Sequence, residues 1–244
     1  GSSDAGGSLI TVARVQRGLR GESSIGATVT ALSGGGAASN DVVSVDARVK
    51  LSPNWIATLQ AARSATPGSA DAEGGAGTAS FAEVRHEGRH LKYHTSYRGR
   101  SPDFDAPLGF ITRTDLRQIE NGAAYFLRRT SGRLLAVIPT ATSVVNWDYA
   151  RQLQDAALDL PVWFDFKGPM SAAAGRTQVF ESYRGSDFRR HHTYVTAYGN
   201  VLRWLGFNAY VRRGTAINYY PPRGQAPTLG DARYDAFDVT LRPS

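Results

Sequence analysis

Between Asp41 and Leu51 every second residue is apolar. Val43, Val45, Ala47, Val49 and Leu51 fall on one side of an extended chain, and Ser44, Asp46, Arg48 and Lys50 on the other. A period of two predicts a β-strand, because successive strand side chains project from opposite faces. The pattern recurs from Leu91 to Arg100, where Leu91, Tyr93, Thr95, Tyr97 and Gly99 alternate with Lys92, His94, Ser96, Arg98 and Arg100. It recurs again near the end, where Phe237, Val239 and Leu241 alternate with Asp238, Thr240 and Arg242. A soluble antiparallel sheet also alternates, but its water-facing side usually mixes charges. The polar side of Leu91–Arg100 is almost wholly cationic.

The spacing of the connections carries more than any one strand. Tight turns are expected near positions 21, 53, 88 and 132, and they alternate with long loops at 34–40, 66–78 and 101–115. Short and long in turn is the arrangement of bacterial outer-membrane barrels, with tight periplasmic turns and longer outside loops; a Greek-key sandwich has no reason to adopt it. Downstream, the chain reads as a strand over 153–166, a small-residue turn over 168–175, a strand ending near Gly185, and a charged loop from Ser186 to His191. Two further strand segments follow, then a loop reaching Asp231 and a last strand from Tyr234. The expected fold is all-β, an antiparallel meander forming a transmembrane β-barrel of about 12–14 strands, about 13 by direct count. A closed single-chain barrel has an even number, so either a strand is miscounted or the chain is part of a larger barrel. Residues 1–8 read as a flexible lead-in or tag remnant, and 9–244 as a single barrel domain.

The segment joining two of these strands carries a more specific signal. Ser101, Pro102, Asp103 and Phe104, then Leu108, Gly109, Phe110 and Ile111, then Arg113, Asp115 and Arg117 resemble the barrel domain of a family of largely uncharacterised Gram-negative outer-membrane proteins. In that family a secreted domain similar to family 9 carbohydrate-binding modules precedes a large β-barrel. Thr11–Arg17, Ser23–Gly26, Val43–Lys50, Asn146–Tyr149 and Leu153–Lys167 extend the resemblance over most of the chain, while Asp105 and Pro107 depart from the family loop. The resemblance implies an outer-membrane location and a barrel architecture, and brings no activity with it.

Composition narrows the alternatives. With 244 residues and no cysteine, the chain has neither disulfides nor a thiolate metal site. Its apolar fraction is 41%, and it holds no run of about 18 apolar residues, which excludes a membrane-spanning helix but not a barrel. The net charge of +7 would suit nucleic acid. The basic residues are spread through many segments rather than clustered, so no nucleic-acid partner is expected.

Candidate chemistry is sparse. His86, His90 and His94 are spaced by four, a ligand spacing only on a helix, and here a hairpin turning near Gly88 separates them. Arg189, Arg190, His191 and His192 form a basic run that could meet lipopolysaccharide phosphates and is more simply a solvated loop. Asp103, Asp105 and Asp115 offer carboxylates, but turn-rich loops favour aspartate anyway. No GxSxG, P-loop, HExxH or EF-hand pattern occurs. No catalytic residue, metal site or cofactor is therefore assigned, and the chain is not expected to be an enzyme.

The favoured function is an outer-membrane channel or uptake and export component with a cationic lumen for anionic or saccharide solutes. Its predicted lining is Asp46, Arg48, Lys50, Lys92, His94, Arg98 and Arg100. The loop bearing Asp103, Phe104, Leu108, Phe110, Ile111 and Asp115 is the predicted plug or lid, because its apolar centre should fold inward and its aspartates should be drawn to a basic wall. Trp55, Trp147, Tyr149, Trp204, Tyr219 and Tyr220, at strand ends, are expected as membrane-interface anchors. The partners implied are outer-membrane lipid and lipopolysaccharide, with a saccharide or anion as solute. The competing function is a soluble carbohydrate-binding or carbohydrate-active β-protein, motivated by the aromatics and the loop carboxylates.

Overall fold

The computed structural model describes residues 7–34, 39–66, 75–109 and 111–241. The strands are β1 (Ser8–Gly18), β2 (Ser24–Gly34), β3 (Asn40–Ser52), β4 (Trp55–Ala65), β5 (Ala76–Glu87), β6 (Leu91–Arg100) and β7 (Leu116–Tyr125). They continue with β8 (Leu127–Arg128), β9 (Leu134–Trp147), β10 (Leu153–Phe166), β11 (Met170–Tyr183), β12 (Ser186–Leu202), β13 (Leu205–Asn218) and β14 (Thr228–Leu241). The spatial order is the chain order, with the two-residue β8 off the path and paired to β9. The fold is thus an all-β antiparallel meander. Among the described residues no helix is long and apolar enough to cross a membrane.

The chain divides into two compact units. The first takes the residues up to His86, His94–Ile119 and Asn146–Gln152, and the second takes Glu87–Tyr93, Glu120–Val145 and the residues from Leu153.

In the first unit the register fixes two faces, since directly paired residues share a side of the sheet. Arg14 lies opposite Thr28, Thr28 opposite Ser44 and Ser44 opposite Ala62, and a second row runs Gly26, Asp46, Gln60, Phe81. Arg48, Lys50, Ser64 and Arg85 lie on this face as well. The opposite face carries Val15, Ala27, Val45 and Ala61 in one row and Ile25, Ala47, Leu59 and Ala82 in another. It is largely bare: Val29 is 45% exposed, Val43 52%, Val45 53% and Val15 69%, while Val49 and Val84 are half-buried. Burying such a side chain is worth roughly 1.5–3 kcal/mol. A water-soluble sandwich would cover this face with a second layer.

The second unit has the same two-faced construction. Asp159, Thr177 and His192 lie in one row of its polar face, while Val162, Ala174, Val195 and Val211 form a row of its apolar face.

Three expectations about the second half need correction. The region 168–175 is not a turn, because Met170 already pairs with Phe166 and starts β11, leaving a tight reversal around Gly168 (φ 89°). Ser186 to His191 is strand, not loop. The reversal before it is a two-residue turn, with Tyr183 paired to Ser186 and both Arg184 (φ 51°) and Gly185 (φ 77°) left-handed, as type I′ hairpin turns require. The strict alternation of short and long connections therefore lapses at this point. The last strand begins at Thr228, inside the expected loop.

Candidate functional site

The densest concentration of functional groups lies on the polar face of the first unit, under the loop that follows β6. A cavity of about 410 Å³ opens there between Gln60, Phe81, Arg98 and Arg100, closed on one side by Phe104 and Ile111 of the loop. Alternation along β6 brings Arg98 and Arg100 to the same side. Arg98 stacks its guanidinium over the Phe81 ring at 5.7 Å and donates to the Gln118 side chain at 3.0 Å, and Gln118 donates on to Asn146 at 2.9 Å. Arg100 donates to the Arg113 carbonyl at 3.2 Å. Two guanidiniums are held at one wall by neutral partners, so their charge stays available to a solute.

The loop is seated by backbone groups. The Ser101 N–H donates to the Thr78 carbonyl at 2.9 Å, and the Ser101 hydroxyl accepts the Thr78 N–H at 2.8 Å. Further along, the Asp105 N–H donates to Ser64 Oγ at 3.0 Å, and the Asp105 carbonyl accepts from Asn40 Nδ2 at 3.2 Å. Ser64 and Asn40 are buried, and buried polar groups need such partners. Between these clasps the loop lies directly on Gly77, where an added Cβ would stand 2.2 Å from Phe104 Cα. Phe104 is 6% exposed. Glycine at 77 is thus a requirement of close backbone approach.

Of the predicted plug residues, Phe104 and Ile111 contribute to the cavity, Leu108 is exposed, and Phe110 lies outside the described residues. The aspartates behave differently from the expectation. Asp103 and Asp105 have exposed side chains, and Asp115 (φ 50°) accepts the Tyr149 N–H at 2.9 Å, which orders the next loop instead. Backbone clasps and Phe104, rather than attraction of carboxylates to a basic wall, hold the segment. Ser64, Asn40 and Gly77 were not anticipated, since small residues near strand ends give no sequence signal until the loop is seen to land on them.

The predicted lining residues are only partly brought together. Asp46, Arg48 and Lys50 share the polar face with Arg14, and Arg14 forms a two-pronged ion pair with Asp46 at 2.8 and 3.0 Å. That pair spans β2 over Gly26, where a Cβ would crowd both groups at about 3 Å. Lys50 pairs with Glu22 in the first turn at 2.6 Å, which holds the Glu22 carboxyl below its usual range through the hydrogen bond and the ammonium charge. His94 follows the alternation of Arg98. Lys92 falls in the second unit, where its ammonium meets Glu87 at 3.3 Å and the Phe126 ring at 5.8 Å.

The second unit's polar face differs in sign. Asp155, Asp159, Asp165, Glu181 and Asp238 share it with Arg190 and Arg212. Asp159 accepts from Thr177 at 2.6 Å and from the Tyr194 hydroxyl at 3.0 Å. Tyr194 lies over Gly175 and continues a run of rings through Tyr210 (5.8 Å) to Tyr234 (5.9 Å). A predominantly basic wall, as expected from the sequence, is therefore confined to the first unit, where Asp46 and Glu83 interrupt it.

The six expected anchors also divide. Trp55 opens β4, half-exposed against His86 with ring centroids 4.6 Å apart, and Trp204 is exposed in the β12–β13 turn. Trp147 ends β9, and Tyr149 packs at Gly99 under the Arg117 guanidinium (4.3 Å). Tyr220 is almost fully exposed. Tyr219 instead bonds Glu181 on the polar face at 2.8 Å, where burial and that carboxylate raise its hydroxyl above the ordinary value and keep it a donor. Among the described residues no group of three or more histidine and acidic side chains could hold a metal ion.

No protein-family model, curated protein or solved structure matches the chain. The outer-membrane family remains a resemblance carried by the motifs quoted above.

Proposed function

We propose that this chain builds the wall of an outer-membrane β-barrel channel and that the loop after β6 narrows its passage. The observation that carries the proposal is the bare apolar face of the first unit opposite a face bearing Arg14, Arg48, Lys50, Arg98 and Arg100. Ordered valines and leucines without a covering layer suit hydrocarbon, and the charged face suits a water-filled lumen. Arginines paired to amides and carbonyls raise the local concentration of anions. The Tyr194–Tyr210–Tyr234 run favours saccharides as a second solute class, because sugar rings stack on aromatic faces.

Catalysis has no place in this proposal. Reconstituted protein in planar bilayers is expected to conduct with a preference for anions. Absence of conductance together with saturable sugar binding would favour the soluble carbohydrate-binding alternative, and a compact detergent-free monomer would remove the membrane reading altogether.

A further inference from the structure

The apolar face of the second unit is not apolar throughout. Toward the tight turns at 167–169 and 203–204 its rows are hydrocarbon, with Phe164 opposite Ala172 and Phe166 opposite Met170. Toward the end that carries residues 219–227 the same face becomes charged, with arginines outnumbering Asp187, Asp231 and Asp235. One row runs unbroken across five strands as Leu160, Arg176, Thr193, Arg213 and Arg233. The next contains Gln178 and His191, and Arg189 lies beyond, opposite Phe180. The run Arg189–His192 is thus split by the strand, with Arg189 and His191 on this side.

Two grooves lie here. One of about 560 Å³ combines Val145, Leu158 and Phe180 with Arg176, Arg189 and His191. A second, of about 450 Å³, shares His191 and adds Arg213 and Arg233 together with Asp231. Asp235, one row nearer the hydrocarbon, bonds both of those arginines at 2.6 Å and fixes their guanidiniums.

We propose that this surface binds the phosphorylated headgroup of lipopolysaccharide. The inference rests on the membrane reading of the apolar face. Arginines beside hydrocarbon call for an anion that itself carries hydrocarbon, and guanidinium matches phosphate bidentately. With strands about 4.8 Å apart, Arg176 and Arg213 stand roughly 10 Å from each other. Adjoining grooves at that spacing suit one amphiphile with more than one phosphate and several chains better than a single-phosphate phospholipid. The cationic rows also lie toward the end bearing the longer connection, which faces the cell exterior in outer-membrane barrels.

The test uses the full chain refolded in detergent and offered bis-phosphorylated lipid A or phosphatidylglycerol at equal phosphate, with retained lipid measured by native mass spectrometry. R176Q/R189Q/R213Q is expected to weaken lipid A retention by about tenfold or more, with phosphatidylglycerol retention and conductance unchanged. If the triple variant does not refold, Arg189→Gln alone is expected to show a smaller loss in the same direction. Undiminished lipid A retention by the variants, or equal retention of the two lipids by the parent, overturns the proposal. A parent protein that retains lipid A selectively but does not conduct supports the lipid site and counts against the channel.

Discussion

The polar faces of the two units use ionic groups in opposite ways. In the first, cations predominate, and those nearest the cavity are held by neutral groups: Arg98 by Gln118 and a ring face, Arg100 by a carbonyl. In the second, carboxylates predominate and are satisfied largely by neighbouring hydroxyls: Asp159 by Tyr194 and Thr177, Asp165 by Ser171, and Glu181 by Tyr219 along with the Arg190 guanidinium. A guanidinium held by neutral partners keeps its field, whereas a carboxylate enclosed by donors has much of its demand met locally. In the proposed channel the first face would therefore select the solute, and the second would serve as a polar framework with an aromatic surface. The net charge of +7 describes neither.

The largest effect should follow from cutting the framework. Tyr194→Ala removes the ring over Gly175 and one partner of Asp159, and should cost on the order of 2–4 kcal/mol, read as a lowered denaturation midpoint in detergent with anion preference kept. A midpoint shift under about 0.5 kcal/mol would place Tyr194 among ordinary surface residues. Next comes the loop. Gly77→Leu cannot be accommodated beneath Phe104 without moving the backbone, so single-channel conductance should rise while the sheet's circular dichroism stays the same. Deleting residues 103–112 should do the same, and unchanged conductance in both would leave the loop an external feature. R98Q/R100Q should then reduce the preference for anions with a stability change within about 0.5 kcal/mol, the mirror image of Tyr194→Ala.

The smallest effect concerns the first turn. Because Lys50 depresses the folded carboxyl of Glu22, its contribution is present above the ordinary glutamate range and is lost as pH falls through the depressed value. Both ends are exposed enough for salt to screen. A slight acid-side loss of stability, absent from Glu22→Gln and from high-salt buffer, is the expected outcome in pH-dependent unfolding.

Legibility in the sequence followed the strength of the period-two signal. β3 and β6 alternate cleanly and were readable to within a residue or two, as was the reversal at Pro53–Asn54 before Trp55. From Ser186 to His192 both faces of β12 carry polar residues, so the alternation vanishes and a strand reads as a charged loop. The turn before it places a non-glycine residue, Arg184, at positive φ, which composition does not announce. At the site, Arg98 and Arg100 were legible because they lie on an alternating strand. Gly77, Ser64 and Asn40 were not, since their roles arise where a loop more than 25 residues away in sequence settles on them. The sign of the second unit's face was hidden for a similar reason: its carboxylates come from several strands, each with a mixed pattern of its own.

In the proposed barrel, odd-numbered positions of β3 meet lipid while even-numbered ones meet water. The chain has no cysteine, so Val43→Cys, Ser44→Cys, Val45→Cys and Asp46→Cys can each carry a single environment-sensitive label in reconstituted protein. Labels at 43 and 45 are expected to be quenched by a lipid-dissolved quencher and those at 44 and 46 by a water-soluble one. Water-soluble quenching of all four, in protein that has inserted and folded, would contradict this arrangement.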